Sequence, residues 1–490
     1  MGEIKKQSIS NTILSYIGAL IGFFSLMYIQ PYFLGSENMG LIKLIYNFSW
    51  IVAMILPLGM GNVTMRFFPK FKNEANQHNG YFGLLLLMVS LGAVIVFVFF
   101  VLFRNEFQNF YSISPKFNTY YYYCFIYAYI FALISVFNIY CSNLLKTSFT
   151  VFLTDIYAKV ALILISFLCY FKVIGEFGLV ISYIVSFVIQ LALLVAYLYK
   201  LDAVSFKINW QFYKNIDKRT IFIFALVMTF SSFASLGIKY IDALVLGHYI
   251  VDLKLIAVYS VCAFIPTILE IPFNSLERIA QPKIAHAWNI DDSKEVGKIY
   301  EMSSRYLFFI GAGLFCCLYA SSDVFFLILP DDYSVGKNVF LIILCCSLFN
   351  LLTGVNTTVI SLSKHYIVTS ALLIVLIGVG IAANLVLIPV YGIKGAAIAT
   401  FIAIGLFNLL KYLYILQKFK MQPLSKHTAY VFIVLLCCVS LIYVLPQSMH
   451  PILRAFIGCS FTVVLFSFMN MRTNTIEEVN KIFKRFKLIK

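Results

Sequence analysis

The chain predicts an all-α polytopic membrane protein of about 14 transmembrane helices, arranged as two six-helix lobes related by an internal repeat plus a C-terminal helix pair. Three observations predict it: composition, the length of the apolar runs, and a repeat. Of 490 residues, 61% are apolar and 12% charged, and the mean hydropathy is +0.91. Such values exclude an ordinary soluble domain. A bilayer-spanning helix needs about 20 mostly apolar residues. Fourteen stretches qualify: 10–33, 41–64, 81–103, 118–142, 150–171, 177–199, 220–246, 253–277, 306–329, 338–362, 366–389, 395–416, 429–446 and 453–470.

The repeat is read from matches that share one offset. Leu34-Gly35 recurs as Leu246-Gly247, and Arg66-Phe-Phe-Pro69-Lys70 recurs loosely as Arg278-Ile-Ala-Gln-Pro282-Lys283, both 212 residues on. Tyr46 and Tyr259 are 213 apart, and Gly175-x-x-Gly178 returns as Gly392-x-x-Gly395 at 217. A period near 215 residues spans about six helices, which divides the chain into two homologous bundles. Paired bundles around a shared cavity are a common basis of alternating access. The expected organisation is an N-terminal lobe over 1–205, a cytoplasmic linker over 206–219 and a second lobe over 220–420. Helices thirteen and fourteen follow over 421–472, then a basic amphipathic tail over 473–490.

Orientation follows from the 37 Lys and Arg residues. With the N-terminus in the cytoplasm, 27 fall on the inner side, including Arg66, Lys70, Lys72, Lys218, Arg219 and the 278–305 group. Eight fall outside: Lys43, Arg104, Lys116, Lys172, Lys254, Lys337, Lys394 and Arg454. Two, Lys159 and Lys239, sit within spans. Short outer loops are the regime in which this bias sets topology, so both termini are expected in the cytoplasm. The net charge of +16 then faces anionic membrane lipids and does not indicate nucleic acid. Lys5 and Lys6 precede the first span without a small-residue cleavage site, so it reads as a retained helix. Eleven cysteines lie in or beside spans without metal spacing and read as apolar filler.

Local features refine this outline. Gly18-x-x-x-Gly22 lets the first helix pack closely against a neighbour. Tyr120 to Tyr123, Tyr127 and Tyr129 read as rings at the headgroup level. The inner loop 280–304 is expected to carry a short surface helix. Pro31, Pro57, Pro266, Pro272 and Pro389 interrupt spans, each removing a backbone hydrogen bond. Pro57, Pro266 and Pro272 are the candidate hinges; the last two bracket Glu270.

Charges inside the bilayer carry most of the functional information. One at mid-membrane costs about 2.5–3.5 kcal/mol on insertion scales, so it usually faces a cavity or a partner. Asp155 and Lys159 stand at i and i+4 on the fifth span, and Lys239 and Asp242 at i and i+3 on the seventh. Glu270 is near the middle of the eighth, and Arg66 and its repeat mate Arg278 end the second and eighth. On the functional reading, Lys159, Lys239, Arg66 and Arg278 meet an anionic ligand in a cavity, while Glu270, Asp242 and Asp155 bind or release H⁺ or Na⁺. On the bland reading, each Lys–Asp pair neutralises itself and the arginines snorkel to headgroups. At about 1.5 Å per residue, Lys159 stands about 12 Å from the inner surface and Lys239 about 10 Å from the outer one. There is no P-loop, no H-E-x-x-H and no Gly-x-Ser-x-Gly, so no enzymatic chemistry, cofactor or metal is expected.

Several stretches carry a resemblance. They are Leu34-Gly35-Ser-Glu-Asn-Met-Gly40-Leu, Leu58-Gly59-Met-Gly61 leading to Arg66, Asp242-Ala-Leu-Val-Leu246-Gly247 followed by Ala257-Val-Tyr259-Ser260, and Ile388-Pro389-Val-Tyr391-Gly392-Ile-Lys-Gly395-Ala396-Ala397-Ile-Ala-Thr400. Together they resemble bacterial polysaccharide (O-antigen) flippases of the multidrug/oligosaccharidyl-lipid/polysaccharide exporter superfamily, over nearly the whole chain. The resemblance implies a V-shaped cavity between the lobes, with the added helix pair at the side. It implies a cargo of undecaprenyl-pyrophosphate-oligosaccharide, flipped from the inner to the outer leaflet of the bacterial plasma membrane beside polysaccharide polymerases.

A pyrophosphate cannot cross about 30 Å of hydrocarbon unaided. Three competing readings remain. A drug exporter of the same superfamily would use buried acids in a lobe cavity. A flippase of peptidoglycan lipid precursors would carry several arginines in the first two spans, and this first span has none. A membrane glycosyltransferase needs a sizeable outer loop, and the longest here is residues 104–117.

Overall fold

The computed structural model describes residues 2–473 except 113, 215, 216 and 447, and all its regular elements are helical. Among the described residues, thirteen helices or helix pairs are long and apolar enough to cross a membrane, and the large apolar side chains they leave exposed, such as Ile95, Val390 and Tyr443, are those a bilayer covers. The tail after 473 lies outside the described residues. The chain divides into two compact units, residues 1–257 and 258–490.

The first unit opens with α1 (Gly2–Phe24), which continues as a π-helical run over Ser25–Leu34 around Pro31. Gly35, at φ +81, turns the chain into α2 (Ser36–Ile55). The second span is then broken: Leu58 and Gly59 take φ of +48 and +77 before α3 (Met60–Phe71) begins. Pro57 sits in this break, and its carbonyl accepts from the Met60 N–H at 2.9 Å. Glycine is required at 59 for a second reason: a Cβ there would overlap the Ala225 carbonyl. The unit continues through α4 (Tyr81–Leu102), α5 (Arg104–Phe110), α6 (Pro115–Tyr120) and α7 (Tyr123–Asn143). The fifth span comprises α8 (Ser148–Val151), a π-helical run Phe152–Tyr157 and α9 (Ala158–Tyr170). It is followed by α10 (Glu176–Lys200), α11 (Trp210–Lys214) and α12 (Lys218–Tyr249). The seventh span, α12, packs on α2 and α3 through Gly59–Ala225 and a Trp50–Tyr240 ring stack at 6.1 Å.

One sequence expectation is corrected in this unit. Tyr120, Tyr121 and Tyr127 are 6%, 0% and 0% exposed. Tyr121 packs among Phe48, Phe100, Phe107 and Phe125, so half of that tyrosine group is core. Backbone hydrogen bonds tie down the first half of the link after α10. Ser205 accepts from the Gly83 N–H at 3.0 Å, and Asn209 donates to the Asn79 carbonyl at 3.2 Å. Gly80 and Gly83 have no Cβ to hold that strand off.

Lys116 gathers three elements at one end of the unit. Its ammonium lies 2.7 Å from Glu37 on the first turn of α2 and 2.9 Å from Glu176 at the start of α10. Its hydrogen bonds to Glu37 and then to Glu176 raise its pKa above 10.5. The three side chains are a third to a half exposed, so the cluster contributes less than about 1 kcal/mol. A raised lysine pKa stabilises below the unfolded value and loses that contribution as pH climbs through the folded one. Lys116→Met should therefore lower the thermal midpoint slightly near neutral pH. The difference from wild type should vanish above the ordinary lysine range; a gap that persists there would contradict the ion-pair origin.

The second unit contains the rest of α13 (Leu253–Phe264), a 3₁₀ turn over Ile265–Leu269 holding Pro266, and α14 (Glu270–Asn289). Then come α15 (Ser293–Ala320) and α16 (Ser322–Ile328). The expected surface helix over 280–304 is absent as a separate element. Instead α14 and α15 run on past the span, joined by a turn in which Asp291 has φ +53 and Asp292 caps α15 through the Glu295 N–H at 3.0 Å. The tenth span is split into α17 (Lys337–Leu352) and α18 (Asn356–Ser361). After it follow α19 (Tyr366–Tyr391), α20 (Ile393–Phe419), α21 (Lys426–Val444) and α22 (Pro451–Thr473). The last pair packs on α15: Gly458 leaves room for Ala320, and Phe309 meets Phe466 at 5.4 Å. Arg454 at the start of α22 bonds Asp323 at 2.8 Å.

Candidate functional site

Among the described residues, polar side chains gather inside the apolar helices of each unit. In the first unit they lie along the contact of α1 with the fifth span. Asn11, Ser15, Gly18 and Gly22 recur at intervals of four, three and four residues, which places them on one helix face. Asn11 donates to Thr147 Oγ1 at 2.8 Å. Ser15 Oγ donates to Asp155 Oδ2 at 2.6 Å. A Cβ on Gly18 would overlap the Asp155 carbonyl oxygen and stand 2.8 Å from its Cβ, so only glycine allows this approach. One turn further, a Cβ added to Gly22 would stand 3.2 Å from the Lys159 stem. The Gly18-x-x-x-Gly22 expectation thereby gains its partner.

Lys159 uses that closeness. Its ammonium donates to the Gly18 carbonyl at 2.9 Å, and no carboxylate among the described residues lies within ion-pair distance of it. Asp155, one turn away, is engaged by Ser15. The spacing i, i+4 thus puts both on one face, but the π-helical run Phe152–Tyr157 and the partner helix divert them to different groups. π-helical segments are rare and occur frequently at functional sites. Asp155 and Lys159 are both half-buried. A half-buried cation inside a span, hydrogen-bonded to a neutral carbonyl, keeps its charge available to an anion.

The remaining sequence candidates are placed as follows. Lys239 is on α12, with its side chain outside the described ones; Asp242, on the same helix, is 5% exposed. Arg66 is exposed near the end of α3, its guanidinium 4.7 Å from the Phe224 ring centroid. Glu270 is half-buried at the first position of α14, where the 3₁₀ turn becomes α-helix. Pro272 follows it two residues on, and Arg278 is exposed two turns further. The break at 56–59 precedes Arg66, and the 3₁₀ turn at 265–269 precedes Arg278.

In the second unit the structure reveals a site that the sequence reading did not single out. Its centre is the break between α17 and α18. Gly354 takes φ +60, and a Cβ there would meet Ser303 Oγ and the Ser304 N, both at 2.8 Å. The backbone groups freed by the break are met by side chains of α15. Ser304 Oγ donates to the Leu352 carbonyl at 2.6 Å, and Ser303 Oγ accepts from the Val355 N–H at 3.3 Å. Non-helical backbone at membrane depth is tolerated only with such partners.

Polar groups converge on this break. Asn408 of α20 is fully buried; its Oδ1 accepts from Thr353 at 3.1 Å and from Asn356 at 3.2 Å, and its Nδ2 donates to Asn350 at 3.0 Å. Lys411, three residues on, is 2% exposed and donates to Thr357 Oγ1 at 2.9 Å. Glu277 of α14 accepts from Thr358 Oγ1 at 2.5 Å. By distance from the span end Lys411 counts with the inner-face cations, and linear position does not set it apart from them. The signal was Asn408 and Lys411 on one face of an otherwise apolar helix.

The fold is that of known transporters. The lipid II flippase MurJ in its inward closed conformation matches with a TM-score of 0.75 and 14% identity, over 95% of this chain and 99% of that one. An inward-facing multidrug resistance MATE family transporter of the MOP superfamily matches with a TM-score of 0.59 and 14% identity, over 84% and 98%. A MATE crystallised in complex with MaL6 matches at 0.52 and 12%, over 85% and 96%. No protein-family model and no curated protein matches the sequence.

Proposed function

We propose that this multi-pass membrane protein is a flippase for undecaprenyl-pyrophosphate-linked oligosaccharide, working by alternating access in the bacterial plasma membrane, with both termini cytoplasmic. The observation that carries this reading is Lys159: a half-buried cation within a span, bonded to the Gly18 carbonyl and not to an acid. Such a charge favours an anionic cargo, since Lys–phosphate hydrogen bonds are charge-assisted and strengthened in a low-dielectric site. A cationic drug would instead meet repulsion there. Lys239, Arg66 and Arg278 join Lys159 as the proposed cargo contacts. Asp155, Asp242 and Glu270 are the proposed coupling acids for H⁺ or Na⁺, and Pro57, Pro266 and Pro272 the proposed hinges. The polyprenyl tail stays in lipid while the head group crosses.

Mass spectrometry of polyprenyl-linked intermediates in cells lacking the protein tests this. One undecaprenyl-pyrophosphate-oligosaccharide should accumulate, with loss of the matching surface glycan. An unchanged lipid pool with intact glycan, in cells free of a second flippase, would move the ion-coupled multidrug exporter to first place. Accumulation of the peptidoglycan precursor would identify that lipid as the cargo.

A further inference from the structure

Lys411 is held in a way that the cargo reading does not use. Among the described residues its ammonium has one oxygen partner for three N–H donors, and its other close neighbour is the Phe407 ring, 3.9 Å from the centroid. From that partner a directed chain begins. Lys411 donates to Thr357 Oγ1, which donates to Asn356 Oδ1 at 3.3 Å. Asn356 donates to Asn408, and Asn408 to Asn350. Every donor points away from Lys411, so each dipole turns its oxygen toward the ammonium, and the bonds reinforce one another.

The chain runs through α18, a six-residue helix separated from α17 by the Gly354 break. Thr357 ties α18 to α20, and the adjacent Thr358 ties it to Glu277 on α14. Its other face packs Val359 and Ile360 into a cluster with Ala280, Ile284, Tyr300 and Ile415. The charged and titratable groups around Lys411 are few. On the elements packed against α20, α18 offers none, α17 has Lys337, Cys345 and Cys346, α19 has Tyr366 and Tyr391, and α14 and α15, which meet α20 through the Ile415 cluster, bring Glu277 and Tyr300. On α20 itself stand Lys394, Tyr412, Tyr414 and Lys418. Glu277 is the acid whose charge reaches Lys411.

We propose that Lys411 is a proton-exchange site of the second unit, and that its protonation closes α18 onto α14 and α20 while its deprotonation releases it. A proton from water on one side of the membrane binds the Lys411 amine. The ammonium then organises the Thr357–Asn356–Asn408–Asn350 chain and faces Glu277, which holds the same helix through Thr358. Loss of the proton to water on the other side leaves an amine whose lone pair can accept from Thr357, which reverses the first bond and disorganises the chain. The Gly354 break lets α18 move without unwinding α17. As a coupling device the site rests on the transport reading above; as a proton-dependent clasp it does not.

Hydrogen–deuterium exchange of the purified full-length protein decides the clasp directly. After correction for intrinsic pH dependence, wild type should show residues 354–365 more protected at acidic than at alkaline pH. Lys411→Met should lose that pH dependence. Lys411→Arg, which keeps a cation and does not exchange its proton, should stay protected at both pH values. A pH dependence that survives Lys411→Met, or is absent in wild type, overturns the proposal; if Lys411→Met fails to fold, the arginine variant alone decides. In liposomes, both variants should flip the polyprenyl-linked cargo down its own gradient but lose stimulation by a pH gradient. Wild type that flips no such cargo would reject the flippase reading, while the exchange result would still stand on its own.

Discussion

Lys159→Gln is expected to reduce glycan export by about 10- to 100-fold while leaving protein levels normal. The factor follows from the about 1.5–3 kcal/mol that a hydrogen bond to a charged group contributes. Protein levels should hold because the lost bond is to a carbonyl already inside a helix, which retains its own i+4 N–H donor. Arginine at 159 should restore export in part. It keeps the charge, but a planar guanidinium does not reproduce the single ammonium bond to the Gly18 carbonyl. Export of labelled surface glycan, normalised to immunoblotted protein, is the measurement. Full activity with Lys159 and Lys239 both replaced by Gln would remove them from the mechanism.

Gly18→Val should cost most of the folded protein. A Cβ at 18 overlaps the Asp155 carbonyl oxygen, and that oxygen belongs to a helix backbone that cannot swing aside. Forced overpacking of this kind costs about 1–3 kcal/mol or more. Separating the helices would also break the Ser15–Asp155 and Lys159–Gly18 bonds. Gly22→Ala is the contrasting case. Its new methyl meets only the flexible Lys159 stem at 3.2–3.4 Å, so the thermal midpoint should hardly move while export falls with the displaced ammonium. Yield and thermal unfolding of the detergent-solubilised variants separate the two outcomes. Equal yields for Gly18→Val and wild type would mean that this contact does not hold the first helix in place.

Much of the site was visible before any coordinates. The Gly18-x-x-x-Gly22 spacing marked a face for close approach, and the rarity of charge in this chain singled out Asp155 and Lys159 at once. Their partners were not visible. An i, i+4 Asp–Lys pair is expected to bond to itself; only the arrival of Ser15 and the Gly18 carbonyl, 140 and 141 residues away in sequence, sends the two side chains elsewhere. Lys411 and Glu277 show the opposite failure. Each lies within about two or three turns of a region rich in inner-side charge, and linear distance to a span end cannot distinguish a snorkelling lysine from a buried one.

The sequence by itself determined the class and the approximate positions of the membrane helices. These are consequences of local chemistry, because an apolar run of sufficient length is read segment by segment. Only the tertiary structure decided which break is buried in polar partners, which tyrosines are core, and where each intramembrane charge finds its hydrogen bond. The reason is that a bilayer selects a helix on its own composition, one segment at a time. Partner choice depends on which side chains from distant segments arrive within about 3 Å, and no periodicity along the chain encodes that distance.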